Sequence, residues 1–346
     1  MQYQGFGKTG LTIPRIVYGT SCLGNLYESL PDETKLAISR EWFAHHAPPA
    51  VIDTAGKYGA GLALEVIGKN LRELEIPADQ VIISNKLGWK RVPLRTPEPT
   101  FEKGVWADLE HDAVQCISRQ GILECWEQGC QLLGEGYRPQ LLSVHDPDEY
   151  VAAGKSPAER EQRFTDVVAA YESLHELKRQ GETQAIGVGS KDWRLIAELE
   201  AVVELDWVMF ANSLTIYRHP PPLLNFVSRL MEKQIGVINS AVFNAGFLIG
   251  GKFFDYRIPT PDNPEDRAVM VWREKFLDLC QRHAVVPATA CIQFALSPPA
   301  VAAVALNTSD PQRVADNVLA VEALIEPEFW QEARQIGLIA SNYAYV

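Results

Sequence analysis

Apolar residues along this chain form short continuous runs that alternate with longer amphipathic stretches. A short apolar run reads as a strand buried on both faces, as in a parallel sheet, whereas three- and four-residue spacing reads as helix. Strands are expected at about 14–19, in the run ending at 53, and at about 80–86, 140–145, 184–190, 207–212, 236–241 and 301–306. Helices are expected between them, at about 31–44, 62–74, 118–134, 157–180, 192–203, 268–283 and 288–296. Pro220-Pro-Pro222 and Asp310-Pro311 open two more, because proline costs little in a first turn, and 327–337 adds a last one. The 157–180 stretch is the clearest, with Phe164, Val167, Val168, Tyr171, Leu174 and Leu177 on one face and Gly181 as its cap.

Two segments break the alternation. Residues 87–117 hold Trp89, Pro93, Pro97, Pro99 and Trp106 and read as a long loop; residues 247–266, rich in Gly, Pro and Asp, read as another. Loops of this length are more often functional than accidental. With no linker, repeat or low-complexity stretch, residues 1–346 are expected to form one α/β domain, a single (β/α)8 TIM barrel.

Three apolar runs end in titratable groups. Val51-Ile52 delivers Asp53, and a Thr-Ala-Gly-Lys turn then presents Tyr58; Val81-Ile-Ile-Ser-Asn ends in Lys86, and Leu141-Leu-Ser-Val ends in His145. A parallel barrel gathers such strand ends on one face, so these four side chains are the candidate catalytic set.

Composition narrows the function classes. Lys plus Arg 32 against Asp plus Glu 44 gives a net charge of -12, which argues against nucleic acid or a polybasic membrane surface as partner. The six cysteines show no CxxC spacing, so reduced thiols and a cytoplasmic setting are expected. Met1-Gln-Tyr-Gln-Gly lacks the regions of a signal peptide, and no apolar run approaches the roughly 18 residues of a membrane span. The expected partner is a small-molecule substrate, and nothing in the sequence fixes an oligomeric state.

The spacing of Asp53, Tyr58, Lys86 and His145 resembles the aldo-keto reductase superfamily, whose tetrad is an Asp, a Tyr five residues later, a Lys and a His at barrel strand ends. The opening Phe6-Gly-Lys-Thr-Gly-Leu-Thr-Ile-Pro-Arg-Ile-Val-Tyr-Gly19-Thr20 is similar to the family's capping hairpin and first strand, with Gly19 and Thr20 at the cofactor. The family's common glutamate lies eight residues after the aspartate, but here Glu65 lies twelve after Asp53, which resembles the branch acting on aldose sugars. The resemblance implies hydride transfer with Tyr58 as acid or base. A tyrosine, with a reference pKa of about 10, needs Lys86 to favour its anion, Asp53 to hold the lysine, and His145 to orient the reacting oxygen.

No G-x-G-x-x-G follows a strand, so a dinucleotide must be held elsewhere. Asn307-Thr308 through Asn317 opens a helix after the last strand, where free N–H groups favour an anion. Thr308, Arg313 and Asn317 fit the family's phosphate motif, and Asn307 stands where NADP-preferring members often carry lysine, so NAD with some NADP tolerance is expected. Ser190 and Ser240 stand where the family often has an asparagine and a ring-stacking tyrosine for the nicotinamide. Phe243 and Gly246 are candidates for the pyrophosphate path, with core packing the other reading of Phe243; Trp89 and Trp106 offer flat surface to a sugar. The implied activity is that of an aldose 1-dehydrogenase oxidising the anomeric hydroxyl of a sugar such as L-fucose. Alternatives are a pyridoxal 4-dehydrogenase, a general aldehyde or ketone reductase, or a non-enzymatic cofactor-binding regulatory subunit. A metal hydrolase fits poorly, because the other histidines sit mostly in expected helices or loops.

Overall fold

The structure, a computed structural model, describes residues 1–255 and 257–346. The chain opens with an antiparallel hairpin, β1 (Tyr3–Gly5) and β2 (Thr12–Pro14). The alternation then starts with β3 (Ile16–Gly19), α1 (Asp32–Glu41), β4 (Ala50–Ala55), α2 (Leu62–Glu73) and β5 (Val81–Leu87). A second hairpin, β6 (Trp89–Pro93) and β7 (His111–Gln115), precedes α3 (Arg119–Leu133) and β8 (Leu141–His145). Short α4 (Pro147–Ala152) and long α5 (Pro157–Arg179) lead to β9 (Ala185–Ser190), α6 (Trp193–Glu200), β10 (Trp207–Ala211), α7 (Pro221–Glu232) and β11 (Gly236–Ser240). The chain finishes with α8 (Pro264–Arg282), α9 (Pro287–Leu296), β12 (Val301–Leu306), α10 (Gln312–Glu322) and α11 (Pro327–Gln335).

Eight parallel strands close in the order β3-β4-β5-β8-β9-β10-β11-β12, with β12 returning to β3, so the expected α/β barrel is the fold. Alternate residues of each strand face opposite ways. Ile52, Ile83, Leu142, Val144, Ile186, Val188, Val208 and Phe210 belong to the core shared with the surrounding helices. Val51, Ile82, Leu141, Ala185, Trp207 and Ile238 pack together inside the barrel with Phe6 from the opening hairpin. Trp207 fills this interior only because β9 carries Gly187 beside it, where a Cβ would meet the indole carbons at 2.5 Å.

The hairpin thus plugs one end with apolar side chains, and polarity rises toward the other. Moving up the inward faces, Val51 gives way to Asp53, Ile82 to Ser84 and Lys86, and Leu141 to Ser143 and His145. That gradient places the titratable groups at the C-terminal mouth, where barrel active sites are built.

The structure corrects three local expectations. The 87–117 loop is rooted in the antiparallel β6–β7 ladder, which pairs Trp89 with Gln115 and Pro93 with His111. An isolated two-stranded ribbon tolerates Pro93 at its end, and pairing across residues 94–110 leaves no local period to read. Helix α8 starts at Pro264, not near 268, because the Asn263 side chain accepts N–H groups of Glu265 and Asp266. Helix α4 was not expected; Pro147 opens it and Asp148 and Glu149 occupy its first turn. Among the described residues no helix is long and apolar enough to cross a membrane.

Candidate active site

Asp53 and Lys86 form a buried ion pair across adjacent strands, 3% and 2% exposed, with the ammonium donating to Oδ2 of the carboxylate. The other oxygen, Oδ1, accepts the Ser84 hydroxyl at 3.1 Å, and the Asp53 carbonyl accepts the Thr20 hydroxyl at 2.9 Å. Register explains the geometry: Asp53 pairs with Ser84, and two residues further along the same face is Lys86. Gly189 on β9 leaves room for the lysine, since a Cβ there would lie 3.0 Å from Lys86 Cδ.

Tyr58 arrives on the turn that follows β4. Its ring centroid lies 4.8 Å from Lys86 Nζ and 5.6 Å from the His145 ring, with the two rings at 86°. Backbone contact holds the turn: a Cβ on Gly24 would meet the Tyr58 carbonyl carbon at 2.7 Å, so only glycine fits. Arg91, on β6, pins the same turn from outside, donating from Nε to the Ala60 carbonyl at 2.6 Å and from both Nη atoms to Glu65 at 2.9 and 2.7 Å. This fork is the role the structure gives Glu65.

His145 is buried, its Nδ1 has no protein partner, and its Nε2 stands 3.6 Å from Asp146 Oδ2. Burial pushes its pKa well below the usual histidine range; Asp146 pulls the other way, and Lys86, Lys57 and Lys191 reinforce the drop. The imidazole is therefore neutral at pH 7, able to donate from one nitrogen and accept at the other. All four side chains meet at one cleft of about 1510 Å3, larger than the roughly 300–1,000 Å3 of ordinary ligand sites.

Residues 15–337 match the Aldo/keto reductase family. The chain belongs to that family. It is an NAD(P)-dependent oxidoreductase acting on CH–OH or carbonyl groups. This aldo/keto reductase is 24% identical to pyridoxal 4-dehydrogenase of Microbacterium luteolum, over 97% of its own length and 98% of the relative's. It is 27% identical to D-threo-aldose 1-dehydrogenase of a Pseudomonas species, over 95% and 96% of the two chains. An aldo-keto reductase of Bacillus halodurans, solved in its holo form, superposes with a TM-score of 0.69 at 19% identity, covering 99% of this chain and 98% of that one.

The cleft of the reductase runs from the Tyr58–His145 end to the start of α10, and every residue expected at the cofactor lines it. Gly19, Thr20 and Asn307 meet where β3 and β12 end; the Asn307 side-chain Oδ1 accepts the Cys22 N–H at 3.3 Å. Ser240 donates to the Phe210 carbonyl at 2.8 Å, and Ser190 to that of Asp192 at 3.3 Å. Phe243 both lines the cleft and packs on two hydrophobic clusters, while Gly246 turns the backbone at φ 87°. At α10, Thr308 accepts the Asp310 N–H at 3.1 Å, Asp310 accepts that of Gln312 at 3.0 Å, and Arg313 and Asn317 complete the wall.

The two tryptophans part company. Trp106 lines the cleft, lies 6.0 Å from the Tyr58 ring and donates to Glu102 at 2.8 Å. Trp89 does not form part of the wall; it packs on Phe101 at 5.8 Å, with Lys57 Nζ 5.3 Å from its indole centroid. Its place on the first residue of β6 turns it under the loop rather than toward the opening.

Two features of the cleft lie outside the expectations from sequence. Asn212, just beyond β10, lines the cleft with its Oδ1 buried and unpartnered; a polar residue ending an apolar run was the available signal, the same that marked Lys86 and His145. Lys57 is 3% exposed and bridges Glu102 at 2.7 Å, Asp146 at 3.2 Å and Glu149 at 3.5 Å. Burial favours its neutral amine, but Asp146, Glu102 and Glu149 outweigh that and hold the lysine above its usual range. Its partners come from separate elements, so no local pattern announces them.

Proposed function

We propose that this aldo/keto reductase is an aldose 1-dehydrogenase that oxidises the anomeric hydroxyl of a sugar such as L-fucose to the lactone. The observation that carries the reading is the meeting of Asp53, Tyr58, Lys86 and His145 at one end of a cleft whose other end is the start of α10. The residues fit a nicotinamide dinucleotide. The unpartnered Asn212 Oδ1 suits a carboxamide N–H, and the Thr308–Asn317 segment at the start of α10 suits phosphate or ribose oxygens. When bound, the nicotinamide supplies a two-electron hydride acceptor.

The chain's own residues manage the proton. Lys86, held by Asp53, sets a positive charge against the Tyr58 ring and favours the phenolate, which takes the proton of the anomeric hydroxyl as C1 becomes a carbonyl carbon. Neutral His145 donates a hydrogen bond to the same oxygen and fixes its direction. The two protein groups thus act on one oxygen from perpendicular rings, and reduction retraces the path with Tyr58 as acid. Trp106, tilted against Tyr58, offers its face to the C–H side of a sugar ring.

NAD is the preferred cofactor in this reading, with NADP tolerated. Asn307 brings no charge, and the Asp310 carboxylate lies 3.8 Å from Arg313, where it competes with a ribose 2′-phosphate. The free cysteines favour a cytoplasmic setting. A second reading, oxidation of pyridoxal, is supported by the likeness to the Microbacterium luteolum protein along nearly the whole chain. Reduced-nicotinamide absorbance with L-fucose, D-arabinose, L-galactose and pyridoxal, with NAD and NADP in turn, tests both. Sugar turnover favouring NAD is expected; turnover of pyridoxal alone would overturn the sugar assignment.

A further inference from the structure

Lys57 stands in an unusual place for a buried ammonium. It precedes Tyr58 directly, and its carboxylate partners come from the 94–110 loop (Glu102), the end of β8 (Asp146) and α4 (Glu149). Burying charges is costly unless they are paired, and the apolar core of the barrel does not need this cluster. What the cluster does accomplish is spatial. Asp146 Oδ2 is shared among Lys57 at 3.2 Å, Lys191 at 3.7 Å and His145 Nε2 at 3.6 Å, so the oxygen facing the imidazole is the one Lys57 holds.

We propose that Lys57 is a positioning residue: it clamps Asp146 against His145 while its own backbone carries Tyr58, and so fixes imidazole and phenol relative to each other. Through Glu102, which also accepts the Trp106 indole N–H, the clamp depends on the seating of the 94–110 loop. That loop is tied down on its far side, where the Tyr27 N–H donates to the Val105 carbonyl at 2.8 Å and the Ala107 N–H to that of Asn25 at 2.9 Å. The proposal rests on the reading of Tyr58 and His145 as the reacting pair.

The titratable groups around His145 are Asp146 beyond its own strand, Lys86 from β5, Lys57 and Tyr58 from the turn after β4, and Lys191 beyond β9. Replacing Lys57 by an uncharged residue removes a repulsion on the imidazolium and leaves Asp146 less neutralised. Both effects raise the affinity of His145 for a proton through charge alone, whereas release of Asp146 from the imidazole lowers it, so the clamp is read from how strongly Asp146 still acts on His145 once Lys57 is gone.

The test compares the full-length protein with Lys57→Met and Lys57→Arg, each with and without Asp146→Asn. Histidine-labelled samples are titrated by NMR without cofactor, with His145→Gln supplying the assignment, and turnover on the best sugar is followed against pH. The expected result is that Asp146→Asn lowers the His145 titration in the wild-type background and moves it much less in Lys57→Met, where the carboxylate is no longer held against the ring. In Lys57→Met kcat should also fall by on the order of tenfold, a common size for loss of a group that orients a reacting one, with a smaller change in KM. Lys57→Arg should recover both.

An Asp146→Asn effect on His145 as large in Lys57→Met as in the wild-type background overturns the proposal whatever the turnover. A wild-type protein inactive on the whole panel overturns the functional reading instead, and the NMR result still decides the clamp. If Lys57→Met does not fold, Lys191→Met removes the second ammonium from the same oxygen. The Asp146→Asn effect on His145 should keep its wild-type size in that variant, because Lys57 still holds the carboxylate; an effect lost there assigns the clamp to Lys191 and overturns the proposal.

Discussion

Cutting the Asp53–Lys86 pair on one side should harm stability more than removing both charges. Lys86→Met keeps the length and apolar stem of the side chain but leaves the Asp53 carboxylate 3% exposed without its ammonium. Breaking a buried pair in this way typically costs about 3–5 kcal/mol. One hydroxyl remains on that carboxylate, from Ser84 at 3.1 Å, and a hydrogen bond to a charged group contributes about 1.5–3 kcal/mol, so the lower end of the range, about 3 kcal/mol, is expected. Asp53→Asn alone strands the ammonium and should cost a similar amount. The double variant buries no charge and should recover about 2 kcal/mol or more of the Lys86→Met loss, because an uncharged pair avoids the desolvation penalty. Equilibrium urea unfolding at pH 7 measures all four proteins, and activity is read in parallel. Neither single nor double variant should turn over the proposed substrate at more than a small fraction of the wild-type rate, which separates the pair's proposed chemical role from its structural cost. A double variant no more stable than Lys86→Met would refute the claim that an unpaired buried charge dominates.

Three further outcomes follow from named contacts. Gly24→Ala pushes a methyl to 2.7 Å from the Tyr58 carbonyl carbon, so kcat should fall about a hundredfold, as misplacements near 1 Å can do, while circular dichroism stays unchanged; full activity would contradict the packing. Because burial holds His145 below its ordinary value, the native state binds fewer protons than the unfolded one as pH falls through about 6.5, so stability drops with acidification; His145→Gln should flatten this urea-unfolding trend between pH 7 and 5, and an unchanged slope would contradict it. Asn307→Lys adds the charge that a 2′-phosphate lacks here, and the NADP-to-NAD ratio of kcat/KM should rise about tenfold, equivalent to about 1.4 kcal/mol; an unchanged ratio would remove Asn307 from the account.

The barrel was legible because its strands are buried on both faces. Trp207–Ala211 and Val301–Leu306 read as continuous apolar runs for that reason, and strand-end polarity marked Asp53, Lys86 and His145 before any contact was known. What stayed hidden was set by pairing between distant residues. The β6–β7 ladder joins segments separated by residues 94–110, and Lys57 gathers carboxylates from three elements, so neither leaves a period or spacing in the chain. Trp89 was misjudged because its position in sequence, next to the site, gives no clue to which side of the ribbon its ring takes. The early start of α8 was readable in principle: Asn263-Pro264-Glu265-Asp266 is a capping residue, a first-turn proline and two acids.

Whether the Tyr58 phenol exchanges the proton of the reacting oxygen is decided by Tyr58→Phe. The variant keeps the ring that packs on Trp106 and faces Lys86, and loses only the hydroxyl. The cofactor should still bind with wild-type affinity by fluorescence titration while kcat on the best substrate of the panel falls by about 10²–10⁴, the usual contribution of a positioned acid or base. Turnover near the wild-type rate would contradict that exchange.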